Sequence, residues 1–333
     1  MMRSSNRFPL IRAAVLEPFI QVAERIGTPV EKVLHSVRLP SEGIEEAGLL
    51  LPETLCWRFI NSVSAKEGIP NFGLIAANTV TFPELAALVS LTHGCSNVFD
   101  VLKRFCVVAP LFTNNALFAL EGAENHVWFS QKDKPLLDDC AQVQLFQVLG
   151  MIQLVQLATG PQWRPDEIHF SFGRKTEVEY ASELNPSRIH FGKPYPSIAV
   201  PRHLLSLPLR VATTDRSPKT GFEPIPEGFS EGLRRALTPY LGQEKPSKNL
   251  VAEALGVSPR TLHRRLANEH TSYSEILDQT RLMKAATLLK ETDMKLLDIT
   301  LILGYENASS LTRAFHRWAG LSPREYRQLH YNA

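Results

Sequence analysis

Two segments near the carboxyl end of this chain repeat one pattern, and the repeat constrains the fold more than any other feature. LGVSPRTLHRRL covers residues 255–266, and LGYENASSLTRAF covers residues 303–315. Each has a Leu-Gly step, an apolar residue, a residue of the helix-capping type, and then a helix with Leu and Arg at matched places. Two copies are too few for a solenoid, which needs three or more repeats. The pattern therefore predicts two copies of one supersecondary unit.

Each copy has the sequence of a helix-turn-helix. In the first, NLVAEAL predicts a helix that ends at Gly256, because glycine adopts the left-handed conformation at little cost. Ser258 is placed to cap the next helix, with Pro259 in a first turn where a missing N–H is harmless. In the second, LLDITLIL ends at Gly304, and Asn307 can cap the helix that follows. Two helices joined by a short turn containing glycine are typical of the motif.

The second helix of each copy is predicted to have one apolar and one polar face, at about 100° per residue. Leu262 and Leu266 form the apolar stripe in the first copy, and Leu311, Phe315 and Trp318 form it in the second. An ordinary solvated face would explain either helix alone, but two matched copies favour a DNA-reading surface, since arginine can pair bidentately with guanine. The polar faces carry Arg260, His263, Arg264 and Asn268 in the first copy, and Ser309, Thr312, Arg313, His316 and Arg317 in the second.

Charge is consistent with this prediction but does not decide it. The net charge of the 333 residues is only +2. From residue 243 onward there are 13 Lys and Arg against 10 Asp and Glu, whereas the preceding part has 23 against 24. The last quarter is therefore the basic part of the chain, and only mildly so.

Composition places the chain among cytoplasmic globular proteins. Hydrophobic residues make up 44% and charged residues 21%. The most apolar run, residues 140–160, is interrupted by Gln every few positions, which predicts a buried helix rather than a membrane span. The amino-terminal stretch has no pattern of a secretory signal. Cys56, Cys95, Cys106 and Cys140 form no CxxC pair and are expected to be free thiols in a reducing cytoplasm.

The remaining patterns divide the chain into two domains. Residues 213–228 are rich in Pro and Gly and predict a linker. Residues 10–110 predict amphipathic helices, 115–130 two short strands, 138–159 a long helix, and the stretch DEIHFSF another strand. We therefore expect an α+β N-terminal regulatory domain over residues 1–212. An all-α C-terminal domain should follow over residues 229–333, with two helix-turn-helix subdomains joined by a connecting helix. Its first helix is predicted over residues 230–241, with Ser230 as the N-cap.

Residues 229–330 resemble the DNA-binding region of AraC/XylS-type bacterial transcription regulators. The resemblance is carried by VAEALGVSPRTLHRRL, by RLMKAATLL with its Arg281 and Ala285, and by ITLILGYENASSLTRAFHRWAGLSPREYR. It implies two recognition helices that enter successive major grooves, about one helical turn (~34 Å) apart. It also implies packing roles for Pro323 and Tyr326. The DNA-contacting residues expected on this basis are Arg260, Thr261, His263, Arg264 and Asn268 in the first copy. In the second they are Asn307, Ala308, Ser309, Ser310, Thr312 and Arg313, with Arg317 nearer a phosphate.

Two positions depart from the family pattern. Thr300 stands where the family usually has a small Ala, so its hydroxyl must find a backbone carbonyl in the same helix. His270 stands where a Gly commonly follows the first recognition helix. If that position needs a positive φ, histidine tolerates it at a cost on the order of 1–2 kcal/mol.

The first 210 residues resemble the arabinose-binding-like amino-terminal domain found in one branch of this family, and the stretch that carries the resemblance is residues 160–209. The resemblance implies an effector-sensing or dimerising domain and does not imply arabinose itself. No GxGxxG, Walker, HExxH or GxSxG motif is present, so we predict neither an enzyme nor a cofactor. The six His before residue 210 show no i,i+3 or i,i+4 pair, so no metal site is predicted, and His169 is expected to be an exposed or hydrogen-bonded strand residue. The aromatic residues Phe82, Phe99, Phe105, Phe112, Phe118, Trp128 and Phe129 could line an apolar pocket, although core packing is the default.

These observations lead to one expected function with two alternatives. We expect a cytoplasmic transcription regulator, an activator that binds double-stranded operator DNA, meets RNA polymerase and responds to a small effector of unknown identity. It would be nucleoid-associated when bound to DNA and would have no membrane partner; a homodimer is left open. The first alternative is a dimeric DNA-binding regulator whose front domain binds no ligand. The second is an enzyme fused to a DNA-binding module, which the missing catalytic motifs disfavour.

Overall fold

The computed structural model describes residues 7–79, 91–133, 136–210, 222–242 and 247–331. By its internal contacts the chain forms two compact units. The larger unit is Ile11–Ile225, and the smaller is Pro226–Ala333 together with Met1–Leu10. The predicted linker, residues 213–228, lies partly outside the described residues, and the predicted domain boundaries stay a prediction.

The larger unit is α+β, as predicted. Its strands are β1 (Leu10–Arg12), β2 (Leu50–Pro52), β3 (Phe118–Gly122), β4 (His126–Gln131), β5 (Glu167–His169), β6 (Arg188–His190) and β7 (Ser197–Pro201). Its helices are α1 (Ala13–Arg25), α2 (Val30–Ser36), α3 (Glu53–Glu67), α4 (Phe72–Thr79), α5 (Val98–Val108), α6 (Ala141–Thr159) and the short α7 (Thr176–Glu179). Single 3-10 turns lie at Ala109–Leu111, Ser182–Leu184 and Arg202–Leu204.

A five-stranded sheet of order β3-β4-β7-β5-β6 forms one side of the larger unit, and β1 and β2 form a separate two-stranded sheet. The β3–β4 hairpin was predicted, and its pairing is antiparallel. The central strand, β7, was not predicted from the sequence. Ile198, Ala199 and Val200 are all buried. A strand that is covered on both faces shows no alternation of apolar and polar residues, so the period-two signal was absent.

Helix α6 is the predicted buried helix. Two of its interrupting glutamines form hydrogen bonds to neighbouring segments of the chain. Gln142 is buried, donates to the carbonyl of Pro70 at 2.9 Å and accepts from the N–H of Gly73 at 2.8 Å. Gln153 donates to the carbonyl of Ala77 at 3.1 Å. Among the described helices, α6 alone has the length and composition of a membrane-crossing segment, and 72% of its apolar window is buried in the protein. The glutamines therefore tie α6 to α4 and the segment before it.

The smaller unit is all helical, as predicted. Its helices are α8 (Phe229–Leu237), α9 (Lys248–Ala254), α10 (Pro259–Asn268), α11 (Tyr273–Glu291), α12 (Leu296–Ile302), α13 (Ala308–Ala319) and α14 (Pro323–Tyr331), with a 3-10 turn at Thr238–Tyr240 after α8. The pairs α9–α10 and α12–α13 are the two helix-turn-helix copies, and α11 joins them. Leu241, Ala285, Leu289, Ile299, Leu303, Leu311 and Phe315 form one core around the second copy.

The predicted N-cap of α8 is wrong. The helix begins one residue earlier than expected, with Gly228 at the N-cap position. The carboxylate of Glu269 accepts hydrogen bonds from the N–H groups of Phe229, at 3.2 Å, and Ser230, at 2.9 Å. A carboxylate from the end of α10 therefore caps the helix in place of a local serine, since the unpaired N–H groups of a helix start donate to any well-placed carboxylate.

The segment that precedes β1 also belongs to the smaller unit. Phe8 is 1% exposed, and its ring centroid lies 5.9 Å from that of Phe229. Arg7 pairs with Glu227 at 2.8 Å. A Cβ added at Gly232 would lie 2.9 Å from the Cβ of Phe8, so the close approach of these residues requires a glycine.

Candidate nucleic-acid interface

The first helix-turn-helix forms as its sequence predicts. Gly256 has a φ of +62°, and the hydroxyl of Ser258 accepts a hydrogen bond from the N–H of Thr261 at 3.2 Å. Pro259 is the first residue of α10. Leu262 is fully buried and Leu266 is 1% exposed, which fixes the apolar face of the helix toward the core.

The opposite face of α10 presents the predicted donors to solvent. Arg260, His263, Arg264 and Asn268 are all exposed. Within the part of the chain that the structure describes, Arg260 and Arg264 have no ion-pair partner, so both guanidinium groups are available to an anion. Thr261 is half-buried, and its hydroxyl lies 3.0 Å from that of Ser258.

Arg265, which the sequence analysis did not assign to the interface, stands beside Arg264. Its guanidinium carbon lies 5.5 Å from the ring centroid of Phe229. Burial lowers the pKa of Arg265, and the neighbouring charge of Arg264 adds to the effect. The cation–π contact turns Arg265 toward α8 and leaves Arg264 as the outward charge of the pair.

The second copy repeats this geometry. Gly304 has a φ of +71°, and the Oδ1 atom of Asn307 accepts from the N–H of Ser310 at 2.9 Å, so the predicted cap is confirmed. Leu311, Ala314 and Phe315 are buried. The ring of Phe315 meets the edge of Tyr326 at 5.3 Å, and Pro323 is also buried, which confirms their predicted packing roles.

Some polar side chains of α13 form hydrogen bonds within the protein, and others are exposed without one among the described residues. Ser309 and Arg313 are exposed, while Ala308, Ser310 and Thr312 are half-buried. The hydroxyl of Thr312 donates to the carbonyl of Ala308 at 2.8 Å, and the Oδ1 of Asn307 is used by the cap. Ser309 and Arg313 have no such bond to any described residue. They are the groups most open to a ligand.

Arg317 lies on the same face but is already paired. Its Nη2 atom lies 3.1 Å from the Oδ2 atom of Asp278 on α11, although its side chain remains 68% exposed. The same carboxylate oxygen accepts from the indole N–H of Trp318 at 3.3 Å. The sequence analysis missed Asp278, because 39 residues separate it from Arg317 and no local pattern connects them. Arg317 is therefore an exposed arginine with an ion-pair partner, whereas Arg313 has no such partner among the described residues.

Arg281 on α11 supports the second turn. It is buried, and its Nε atom donates to the carbonyl of Leu303 at 3.2 Å. Its guanidinium carbon lies 4.9 Å from the ring centroid of Tyr305. Leu303 is the C-cap of α12, so Arg281 donates to a carbonyl that the helix leaves without a partner. This bond stabilises the turn that leads to α13.

Both departures from the family pattern behave as expected. His270 has a φ of +56°, the left-handed conformation that a glycine would adopt more readily. The hydroxyl of Thr300 donates to the carbonyl of Leu296 at 2.6 Å, within the same helix. Neither residue disturbs the geometry of the two turns.

A second polar cluster lies in the larger unit, at the edge of its sheet. The parallel register of β5 and β6 places His169 opposite His190. The Nε2 atoms of the two histidines lie 3.0 Å and 3.2 Å from the Oε1 atom of Glu167, and Trp128 stacks on His169 at 4.3 Å. The expectation that His169 is a hydrogen-bonded strand residue is confirmed. The grouping itself was missed, because it depends on strand register and not on sequence spacing.

Electrostatics limit what this cluster can hold. Two imidazoles and a carboxylate within 4.8 Å of one another are ligands that zinc accepts. The other oxygen of Glu167, however, lies 3.8 Å from the guanidinium of Arg188. Burial works to raise the pKa of Glu167, but the hydrogen bond from His169 and the charges of His190, His169 and Arg188 together lower it. The carboxylate is thus already satisfied by its neighbours.

The aromatic residues named in the sequence analysis lie in different surroundings. Phe105, Phe112 and Phe118 line a cavity of about 180 Å³ in the larger unit. Phe129 is fully buried in the core, Phe99 is 42% exposed, and Trp128 stacks on His169. Phe82 lies outside the described residues.

Two family models match the chain. Residues 27–209 match the arabinose-binding domain of AraC transcription regulators, and residues 251–329 match a helix-turn-helix domain. The transcriptional regulator VirS of Mycobacterium tuberculosis is 26% identical over 96% of each chain. The ornithine utilization regulator of Pseudomonas aeruginosa is 35% identical over 31% of this chain and 30% of its own. The transcriptional activator CfaD of Escherichia coli is 33% identical over 29% of this chain and 37% of its own. The crystal structure of the regulator CdpR from Pseudomonas aeruginosa aligns at 20% identity with a TM-score of 0.36, covering 90% of this chain and 96% of CdpR.

Proposed function

Since the chain belongs to the AraC family of transcription regulators, which are DNA-binding proteins and not enzymes, we propose that it activates transcription from a specific operator in response to a small effector. The DNA is read by the smaller unit, and the effector is bound by the larger one. The protein works in the cytoplasm, associates with the nucleoid when bound to DNA, and meets RNA polymerase at the promoter.

One observation carries the DNA-reading part of this proposal: two capped helices in matched turns present exposed arginines that have no partner in the described chain. Arg260 and Arg264 on α10, and Arg313 on α13, stand on faces whose opposite sides are buried. An arginine on such a helix can form two parallel hydrogen bonds to the O6 and N7 atoms of guanine. The buried face fixes the orientation of the helix, so the arginines enter the groove from a defined position.

The other predicted residues have supporting roles in this proposal. His263 and Asn268 extend the reading face of α10, and Ser309 that of α13. The half-buried Ala308 and Ser310 allow the backbone of α13 to approach the DNA closely. Thr261, Asn307 and Thr312 contact DNA with atoms that their internal hydrogen bonds leave unused. Arg317, braced by Asp278, contacts a phosphate and fixes the position of the helix.

The test is selection of binding sites from random DNA with the wild-type protein and single variants. We expect the wild type to select two short sequence blocks about one helical turn apart, ~10 base pairs. Arg260→Ala should relax one block and Arg313→Ala the other. Lys66→Ala, which removes an exposed cation from the larger unit, is the charge-matched control and should leave both blocks intact. If neither arginine variant changes the selected sequence, the assignment of the two faces is wrong.

Activation and oligomeric state need separate measurements. A promoter carrying the selected site should be transcribed more strongly by purified RNA polymerase when the protein is added, and a decrease would make it a repressor. Sedimentation of the protein alone and with operator DNA distinguishes a monomer from a homodimer. A dimer that no small molecule stabilises would favour the alternative in which the larger unit only dimerises.

A further inference from the structure

The larger unit contains a cavity of about 180 Å³ whose wall is almost entirely apolar. The residues that line it include Val15 and Pro18 of α1, Phe105 of α5, Phe118 of β3, and Phe146 and Leu154 of α6. Well-packed protein interiors leave few voids larger than a water molecule, so an opening of this size is not ordinary packing.

The size of the cavity sets the size of what it can hold. An apolar cavity of ~150 Å³ stays dry and binds benzene. A cavity somewhat larger than this therefore accommodates a molecule of about six to ten carbon atoms.

Among the described residues, three of the four polar side chains that line the cavity are hydrogen-bonded to other protein atoms. The indole N–H of Trp57 and the hydroxyl of Thr113 each donate to the carboxylate of Glu53, at 3.0 Å. Gln153 donates to the carbonyl of Ala77. Gln147 is the remaining polar side chain, and within the described residues its amide has no partner. The wall thus offers one hydrogen-bonding group and, over the described residues that line it, no charged side chain.

This wall chemistry selects against sugars and ions. A pentose carries a hydroxyl on almost every carbon, and each hydroxyl buried without a partner costs free energy. A carboxylate would need a cation or several donors, and the described residues that line the cavity supply neither. The match is an uncharged, mostly hydrocarbon molecule with a single polar group.

Gly150 shows where the space comes from. It lies in the middle of α6, on the same face as Phe146, Gln147 and Leu154, and a Cβ added there would meet nothing within 4 Å. Glycine is less favourable than alanine in a helix interior, so the sequence keeps an unfavourable residue where its missing side chain leaves the cavity open.

We propose that this cavity is the effector site, and that its ligand is an uncharged apolar molecule of about six to ten carbon atoms with one group that hydrogen-bonds to Gln147. The proposal rests on the proposed function in which the larger unit senses an effector.

The test uses the full-length protein with four probes: indole and 1-octanol, which match the cavity, and octanoate and L-arabinose, which do not. Thermal-shift and calorimetric measurements should show binding of at least one of the first two and of neither of the last two. Because Trp57 lines the cavity, the bound probe should change its fluorescence, and Trp57→Phe should remove that change. Stabilisation by L-arabinose or octanoate alone, or by no probe at all, would overturn the proposed ligand class.

Gly150→Leu fills the cavity from α6, and Gly150→Ala, which adds one methyl group to the same helix, is its matched control. We expect Gly150→Leu to bind the probe at least tenfold more weakly while it keeps the thermal stability and the operator affinity of the wild type. Val15→Phe, which fills the cavity from α1, serves the same purpose if the first variant does not fold. Wild-type probe affinity in a folded filling variant would show that the probe binds elsewhere.

Operator affinity, measured with and without probe, separates this inference from the proposed function. A probe that binds in the cavity and changes operator affinity supports both. A probe that binds there and leaves operator affinity and transcription unchanged overturns effector control, although the site itself stands. A protein that selects no DNA sequence overturns the proposed function, whatever binds the cavity.

Discussion

At the scale of single residues, Glu53 at the start of α3 is the buried carboxyl with the clearest consequence for stability. Burial raises its pKa from 4.5 to about 7, and the charge of Asp133 adds to this, while the hydrogen bonds from Thr113 and Trp57 act in the opposite direction. The folded protein therefore holds a proton that the unfolded chain releases near pH 4.5. As a result, the contribution of Glu53 to the free energy of unfolding falls as the pH rises from 4.5 to about 7.

We expect Glu53→Gln to stabilise the protein at pH 8 relative to the wild type, and the gain should shrink toward pH 5. The raised pKa of Glu53 predicts that the difference in free energy of unfolding between the variant and the wild type changes by about 3 kcal/mol over this pH range. Urea unfolding of both proteins from pH 5 to pH 8 measures it. Glu67→Gln removes an exposed carboxylate from the same helix and serves as the control. A difference that does not vary with pH would show that Glu53 is ionised in the folded state.

Arg313 and Arg317 lie on one face of α13 but should respond differently to substitution. Arg313→Ala should lose about 1–3 kcal/mol of discrimination at one base position, because a free arginine reads a base edge. Arg317→Ala should weaken binding to all sequences alike. Asp278→Asn should strengthen binding to all sequences, since it removes the carboxylate paired with Arg317. Equal weakening of operator and random DNA by Arg313→Ala would contradict the base-reading role.

At the scale of elements, the two turns use glycine for different reasons. Gly256 and Gly304 both have positive φ angles. A Cβ at Gly256 would meet nothing within 4 Å, whereas one at Gly304 would lie 2.5 Å from the carbonyl oxygen of Leu241. The first position therefore needs glycine only for its backbone conformation, and the second also for space.

Gly256→Ala should lower the free energy of unfolding by about 1–2 kcal/mol, the cost of a left-handed alanine. Gly304→Ala should lower it by distinctly more, because the backbone at Leu241 must also move. Chemical denaturation of the two variants compares them directly, and each is the control for the other. Equal losses would mean that the contact with Leu241 relaxes freely.

The elements also show which parts of the fold were predictable from sequence. The caps at Ser258 and Asn307 and the buried stripes of α10 and α13 follow from local spacing, and the structure confirms them. Glu269, which caps α8, and Asp278, which braces Arg317, act across about 39 residues. No periodic pattern encodes such a contact, because it depends on how helices pack.

The larger unit was harder to predict for the same reason. Its short strands are joined by irregular segments, and β6 has only three residues. The cluster of Glu167, His169 and His190 exists only through the register of β5 and β6. The cavity was foreseen only as an option among core aromatics, since a void is a property of packing and not of any single residue.

At the scale of the whole molecule, DNA affinity should depend on the exposed arginines of the two recognition faces and not on the net charge of +2. Each phosphate that a protein cation neutralises contributes about −0.9 to the slope of log affinity against log salt. If all four cations met a phosphate, Arg260, Arg264, Arg313 and Arg317 would give a slope of about −3.6 for each bound chain, and each arginine that reads a base instead makes the slope about 0.9 less steep. The larger unit should add little, so Lys66→Ala should leave the slope unchanged.

The same titration reports how many chains occupy an operator. Two chains on one site would double the number of displaced counterions and therefore double the slope. We expect a slope no steeper than about −3.6 if one chain with its two helices covers the site alone, and a slope of up to about −7 if the protein binds as a homodimer. Fluorescence anisotropy of labelled operator DNA between 50 mM and 200 mM salt measures the slope. A slope near zero would contradict both cases, because recognition helices that carry free arginines cannot enter the grooves without displacing ions.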